Sequence, residues 1–454
     1  MTGYAFQIMD LAGPDLAIVV FGERDCASAF PRVTAEFAGN PRWNVYSAAL
    51  RESDVVAGRA EDRLRDCLMA VATRMKADAN GGTLPVIERR TIINVPASPG
   101  PDPLIVVLST CLSEMTGADP LPVCREVEAA TGIRIVTAAT SGLRLRTQAE
   151  VVDHVGAALL ESLGQSGAVD PMAVNLLGYQ TDTANDVAWA DTMFRAEAAR
   201  IVSAFGGRLN AAVPAGATTD DWRRLPKGGL TFVSDLSLMG ELTRLLAARG
   251  SVVKELAQPR GVAASDAFYA GMARALGRDP APVLESLAAR ADAVAAVADG
   301  RRRFSGMRLA YGIGTVHNFR PDVLAMEGLA NLLLFVELGF DVEIVIQERD
   351  RPEVHERIRR NLASLGVTAP YRLYYEPAVL EPALREGRFD CAYVADFMRD
   401  QVNRAGIPML RFGDMSSGYG FAGRYVRQIT RTLGAIFERR YSSYVGGSGR
   451  GGER

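Results

Sequence analysis

Two of the five cysteines, Cys26 and Cys111, each follow a short continuous apolar run and so stand where a thiolate could act as a ligand. Cys26 lies in Phe-Gly-Glu-Arg-Asp-Cys-Ala-Ser (21–28), just after the run Leu16–Phe21. Cys111 lies in Leu-Ser-Thr-Cys-Leu-Ser-Glu-Met-Thr-Gly-Ala-Asp (108–119), just after Leu104–Ser109. Thiolates are soft donors, and iron–sulfur clusters are held chiefly by them. If both runs are parallel strands, their thiols can converge, because open α/β sheets present ligand sites beyond the strands' C-terminal ends. The spacing leaves a second reading open, in which both are small core residues at helix starts. Cys67 shares an apolar helical stripe with Leu64, Leu68 and Val71, in Glu61–Met75. Cys124 comes early in a helix after Pro120 and Pro122, and Cys391 opens a strand. These three read as core thiols.

The three histidines offer less. His154 and His355 fall in polar helical stretches and read as surface residues. His317 follows Gly312-Ile313-Gly314-Thr315, where it could line a cleft. There is no His/carboxylate group at zinc spacing, no phosphate-binding loop and no nucleophile elbow.

The elements that must position these groups alternate along the chain. Strands are predicted at Leu16–Phe21, Leu104–Ser109, Ile133–Thr137, Ala173–Leu177, Leu230–Val233, Met307–Tyr311, Val342–Ile346, Tyr371–Tyr375 and Cys391–Val394. Helix-period segments fall between them, including Ala188–Phe205, Asp266–Leu276, Pro280–Asp299 and Leu324–Leu338. Short apolar runs separated by helices mark strands buried on both faces, hence parallel βαβ units. So many runs exceed one ordinary open sheet. The expected fold is α/β, with three Rossmann-like domains over residues 1–165, 166–303 and 304–445 and a disordered Gly/Ser-rich tail at 446–454. The first domain would carry the cluster site, at strand C-terminal ends and a subunit interface.

Composition fits a globular protein: 48% hydrophobic and 23% charged over 454 residues. The formal net charge of −2 argues against nucleic acid as a partner. No apolar run reaches the ~20 residues that span a bilayer, and the N-terminus lacks the pattern of a secretory signal. Five scattered cysteines do not make a disulfide framework. A cytoplasmic protein is expected.

Several segments resemble the nitrogenase component 1 superfamily. Ser109-Thr110-Cys111-Leu112-Ser113-Glu114, followed by Gly117-Ala118-Asp119, is similar to its Ser-Thr-Cys-x-x-Glu segment ending in Gly-x-Asp. Phe21-Gly22-Glu23-Arg24-Asp25-Cys26 stands in the place of its His-Gly-x-x-Gly-Cys turn. Glu52-Ser53-Asp54-Val55-Val56-Ala57-Gly58 resembles its acidic-Val-Phe-Gly-Gly turn. Val174–Gly178, Pro259-Arg260-Gly261 through Ser265-Asp266, and Gly406–Gly413 resemble later elements, so the likeness runs over nearly the whole chain.

The resemblance implies that Cys26 and Cys111 ligate an interfacial iron–sulfur cluster, of the [8Fe-7S] P-cluster type or [4Fe-4S]. It implies a β-like subunit paired with an α-like catalytic subunit in an α2β2 heterotetramer. An ATP-dependent iron protein would supply low-potential electrons, relayed through the cluster to a catalytic cofactor on the partner. The sequence departs from the family's β subunits in having no cysteine in Met1–Asp10, so an oxygen ligand such as Asp10, Asp25 or Ser141 would have to help. No cysteine lies between Cys124 and Cys391, so the α subunit's cofactor cysteine is missing. The Gly22–Cys26 turn looks most like that of the methylthio-alkane reductases, which cleave C–S bonds. The alternatives are a scaffold subunit for cofactor assembly and a metal-free structural or small-molecule-binding relative.

Overall fold

The computed structural model describes residues 11, 13, 15–22, 45–79, 83–88, 91–96, 102–145, 148–165, 167–179, 188–214, 216–236, 239–314, 331–394, 398–411 and 417–434. Cys26, His317 and the tail 446–454 lie outside them. Within them are three parallel sheets, as expected, and one separate hairpin.

The first sheet has the strand order β2-β1-β5-β6. In chain order its elements are β1 (Leu16–Phe21), β2 (Val45–Ser47), helices α1 (Glu52–Val56) and α2 (Ala60–Ala79), the hairpin β3 (Thr83–Glu88) and β4 (Thr91–Pro96), then β5 (Leu104–Ser109), α3 (Cys111–Met115), α4 (Pro120–Thr131), β6 (Arg134–Ala139) and α5 (Gln148–Leu163). β1 and β5 run side by side in register from Leu16↔Leu104 to Phe21↔Ser109. Both are buried throughout, which is why their sequences are continuous apolar runs without alternation. Ala17, Val19 and Phe21 pack against Leu64, Leu68 and Val71 of α2 and Val123 and Val127 of α4. Leu16, Ile18 and Val20 join a second cluster with Val155 and Leu159 of α5.

The second sheet, ordered β10-β9-β7-β8, contains β7 (Asp170–Leu177), β8 (Arg208–Val213), β9 (Gly228–Val233) and β10 (Val252–Glu255). Helix α6 (Ala188–Ala204) follows β7, α7 (Thr219–Arg224) follows β8, and α8 (Gly240–Ala248) follows β9. Leu177, Val213, Trp222, Val233, Leu242 and Leu246 belong to the same core cluster as Leu16 and Ile18. The first two sheets therefore share one core, within a compact unit of Met1–Ala188 and Gly206–Leu256.

The other compact unit is Trp189–Phe205 with Ala257–Arg454. It opens with α9 (Val262–Ala275), α10 (Ala281–Ser286) and α11 (Ala288–Phe304). The predicted helix Pro280–Asp299 is thus two helices, broken where Leu287 turns to extended backbone (φ −74°, ψ 111°). The third sheet follows: β11 (Arg308–Gly314), α12 (Leu332–Glu337), β12 (Asp341–Gln347), α13 (Pro352–Ser364), β13 (Tyr371–Tyr374), α14 (Leu380–Glu386), β14 (Cys391–Val394), α15 (Arg399–Ala405), β15 (Met409–Arg411) and α16 (Tyr419–Gly434). Its order is β13-β12-β11-β14-β15. Distant carboxylates cap two of this unit's helices. Glu197 accepts from the Tyr419 and Gly420 N–H groups (both 2.8 Å) at the start of α16. Glu337 accepts from those of Val262 (2.8 Å) and Ala263 (2.7 Å) at the start of α9. Both satisfy N–H groups that a helix leaves unpaired.

Among the described residues no helix is long and apolar enough to cross a membrane.

Candidate functional site

In the first sheet the chain crosses from β1 to β2 on one side and from β5 to β6 on the other. The strand order reverses between β1 and β5, and such a switch point leaves a crevice at the C-terminal ends. Cys111 lies there.

The rim of the crevice is tied together around one carbonyl. Phe21 O, at the end of β1, accepts from Thr110 N–H and Thr110 Oγ1 (both 3.2 Å). Ser113 Oγ lies 3.0 Å from both Phe21 O and Thr110 O and shares its hydrogen between them, while accepting from Thr110 N–H at 2.9 Å. Ser113 is fully buried. The approach is close enough that a Cβ on Gly22 would lie 2.1 Å from Thr110 Oγ1. Residue 22 must therefore be glycine unless the strands separate.

Cys111 begins α3 and is half-buried. Its Sγ accepts from the Gly142 N–H at 3.2 Å. Gly142 belongs to a turn after β6, closed by Ser141 O accepting from Arg144 N–H (3.0 Å). Glu114, one turn along from Cys111, fastens this turn: its Oε2 accepts from Ser141 Oγ (2.7 Å) and Arg144 Nε (3.0 Å). The other oxygen, Oε1, is buried without a hydrogen-bond partner. Met115, at the end of α3, and Leu143, next to Gly142, are 73% and 66% exposed.

This donor set does not fit an iron–sulfur cluster. Such clusters take several cysteinyl thiolates. Among the described residues no group of three or more His, Cys, Asp or Glu side chains is placed to hold a metal ion. The expectation of a shared [8Fe-7S] or [4Fe-4S] cluster is corrected accordingly. Ser141, one of the expected oxygen ligands, gives its hydroxyl hydrogen to Glu114 instead, and Asp10 and Asp25 lie outside the described residues.

The remaining cysteines are core thiols. Burial pushes Cys67 up to about 11. Cys124 rises to about 12 by burial, with Glu128 and Asp119 adding to the shift. Cys391 also rises to about 12 by burial, beside Asp390. All three stay protonated at neutral pH. His154 and His355 are both intermediate in burial, with 36% and 34% of the side chain exposed. His154 lies 3.4 Å from Glu241, while His355 has Nδ1 2.8 Å from the Tyr371 hydroxyl and Nε2 2.7 Å from Asp350. Both partners lie outside its own helix, so the helical pattern gave no sign of them.

Three parallel sheets with reversed strand order, one of them with a thiol at its switch point, define an α/β protein of Rossmann-like sheets. More particularly, the chain belongs to the nitrogenase component 1 type oxidoreductase family, whose model matches residues 89–433. A solved structure of nitrogenase Cp1 at pH 6.5 is similar in fold, with a TM-score of 0.67 and 16% identity over 95% of this chain and 91% of that one. A structure of nitrogenase Cp1 at pH 5 gives 0.63 and 15% over 94% and 86%. At such identity the likeness is one of fold. No curated protein sequence matches the chain.

Proposed function

We propose that the chain is the β-like subunit of a nitrogenase-like reductase, offering the mouth of its first sheet to an α-like partner that carries the catalytic centre. An ATP-dependent iron protein would deliver the electrons to the assembled complex. Family membership supports the reaction class. The observation that carries the subunit role is the pair of exposed apolar side chains on the two segments joined at Cys111, Met115 at the end of α3 and Leu143 next to Gly142. Exposed apolar groups gathered at one edge mark a surface that a partner covers. In this reading Glu114, Ser141 and Arg144 hold the Gly142 N–H on the thiol, and no step runs through a metal group held by this chain. Reductive C–S cleavage of methylthio-alkanes enters as the reaction to assay, on the resemblance of the Gly22–Cys26 turn alone.

The test is co-expression with an α-like chain, followed by mass measurement and turnover with iron protein and ATP. A heterotetramer is expected, and Met115→Lys with Leu143→Lys should weaken it more than about tenfold while leaving thermal unfolding unchanged. A native heterotetramer with the doubly substituted chain would sink the docking face. A complex that assembles but never turns over would point to the scaffold role.

A further inference from the structure

A relay of Tyr371, His355 and Asp350 joins helix α13 to β13, the edge strand of the third sheet. His355, in the first turn of α13, has Nδ1 2.8 Å from the Tyr371 hydroxyl and Nε2 2.7 Å from Asp350 Oδ1. The two rings lie against each other, with centroids 5.6 Å apart. An ionised carboxylate can only accept, so in the neutral imidazole the hydrogen sits on Nε2 and points at Asp350. Nδ1 is thereby left as an acceptor, and the Tyr371 hydroxyl donates to it. Tyr371, the first residue of β13, is half-buried.

Such bonds fasten a helix to an edge strand, which is a structural role. Their order is also that of a nucleophile, a base and a group that fixes the tautomer of the base. A phenol is a weak nucleophile while it keeps its proton, and a base within hydrogen-bond reach takes that proton as the new bond forms. Tyr375, four residues further on, is the contrast. It is 45% exposed, and its hydroxyl accepts from Arg349 Nη2 at 3.1 Å. A guanidinium has no lone pair for a proton. Of these two tyrosines, Tyr371 alone has a base.

We infer that Tyr371 is a nucleophile that takes up an activated acyl group, with His355 as its general base and Asp350 as a positioning residue. Tyr371 Oη attacks the carbonyl carbon of an aryl ester or thioester, and an O–C bond forms. The Oη proton passes to His355 Nδ1 and on to solvent. The leaving phenolate or thiolate departs with the electron pair of the bond that breaks. Phosphoryl donors fit this surface less well. Their transfer relies on cations that clamp the phosphate. Here Arg351 is engaged by Glu348 (3.5 Å) and Glu353 (3.6 Å), and Arg360 by Glu356 (2.8 Å). The inference is independent of the proposed reductase role.

The test treats the full chain with p-nitrophenyl acetate or p-nitrophenyl phosphate, which share a leaving group, and follows each tyrosine by peptide mass mapping. Tyr371 should be acetylated about tenfold faster than Tyr375. A base in a closed site gives about a hundredfold or more, and this relay is partly exposed. His355→Gln can accept the same hydrogen bond but takes up no proton, and should bring Tyr371 down to the Tyr375 rate. Asp350→Asn should slow Tyr371 several-fold with unchanged thermal unfolding, since Asp350 is 81% exposed. That variant also serves where His355→Gln folds poorly. Tyr371 reacting no faster than Tyr375, or at the parent rate in either folded variant, would overturn the proposal. Faster modification of Tyr371 by the phosphate than by the acetate would overturn it too.

Discussion

The first and second sheets each reverse strand order once, yet their switch points are finished differently. In the first, between β1 and β5, a half-buried thiol meets a backbone N–H, a carboxylate oxygen is left unpartnered, and Met115 and Leu143 are largely exposed. In the second, between β7 and β9, the Ser234 hydroxyl donates to Gly178 O at 2.8 Å, and the Tyr179 hydroxyl donates to Leu256 O at 2.8 Å. Tyr179 and Met239 are buried there, and burial raises the Tyr179 phenol well above its ordinary value. Topology supplies a crevice in both cases. Among the described residues the side chains finish the two differently, with a partly exposed thiol in the first and a buried tyrosine in the second.

The contrast is tested most severely by truncating each mouth. Tyr179→Ala should cost about 3–5 kcal/mol, the range for removing a buried aromatic. Met115→Ala should stay within about 0.5 kcal/mol, since an exposed side chain has little packing to lose. Urea unfolding of both variants checks the pair, and comparable losses would mean the two mouths do not differ. Next in size is Gly22→Ala, which drives a methyl into Thr110 and should cost about 1–3 kcal/mol through overpacking. A neutral result would show that β1 and β5 can separate at no cost.

Glu114→Gln is a subtler probe of the first mouth. The amide can still accept from Ser141 but no longer pairs with the Arg144 charge. Arg144 is 69% exposed, so the loss in stability should stay below about 1 kcal/mol. The expected signature is local: faster hydrogen exchange at Gly142, with the strands unaffected. Unchanged exchange would show that Glu114 does not hold the turn.

Much of this was legible in the sequence, for physical reasons that differ by element. β1, β5 and β14 were found at their observed bounds because strands buried on both faces are written as unbroken apolar runs. β8, Arg-Leu-Asn-Ala-Ala-Val, was missed because Asn210 interrupts its run, and that side chain is satisfied only in three dimensions, by Asn175 (2.8 Å) and Arg224 O (2.8 Å). β10 is a largely exposed edge strand, and the β3–β4 hairpin pairs with none of the parallel strands, so neither shows core periodicity. At the site, Cys111 stood out by residue type and by its place after an apolar run, whereas the need for glycine at 22 arises from Thr110 beyond another strand and has no mark in the sequence. The Gly142 N–H has none either, since every residue but proline carries one. The role of Ser141 was misread because its distance to Glu114 depends on how the β6 turn folds back on α3.

The smallest expected effect concerns the opposite edge of β1, where the molecule is closed. Asp15 is buried and accepts from the Thr219 N–H at 3.0 Å, at the start of α7. Burial raises its carboxyl above the ordinary value, and the Asp221 charge adds to this, while the hydrogen bond from the Thr219 N–H pulls the other way. A carboxyl with a raised folded pKa binds its proton more tightly in the native state than in the unfolded chain. Stability from this group is therefore highest below the unfolded pKa of about 3.9, falls as pH rises through the folded value, and stays reduced at neutrality. Asn at this position can accept the same hydrogen bond without the buried charge. Asp15→Asn should thus be as stable as the parent at pH 7 or more so, with its advantage shrinking toward pH 4, while hydrogen exchange at Gly142 stays as in the parent. A variant less stable at pH 7 by more than about 1 kcal/mol would show that the hydrogen bond to the charged oxygen outweighs burial. A change in Gly142 exchange would show that the closed and open edges of the strand are coupled.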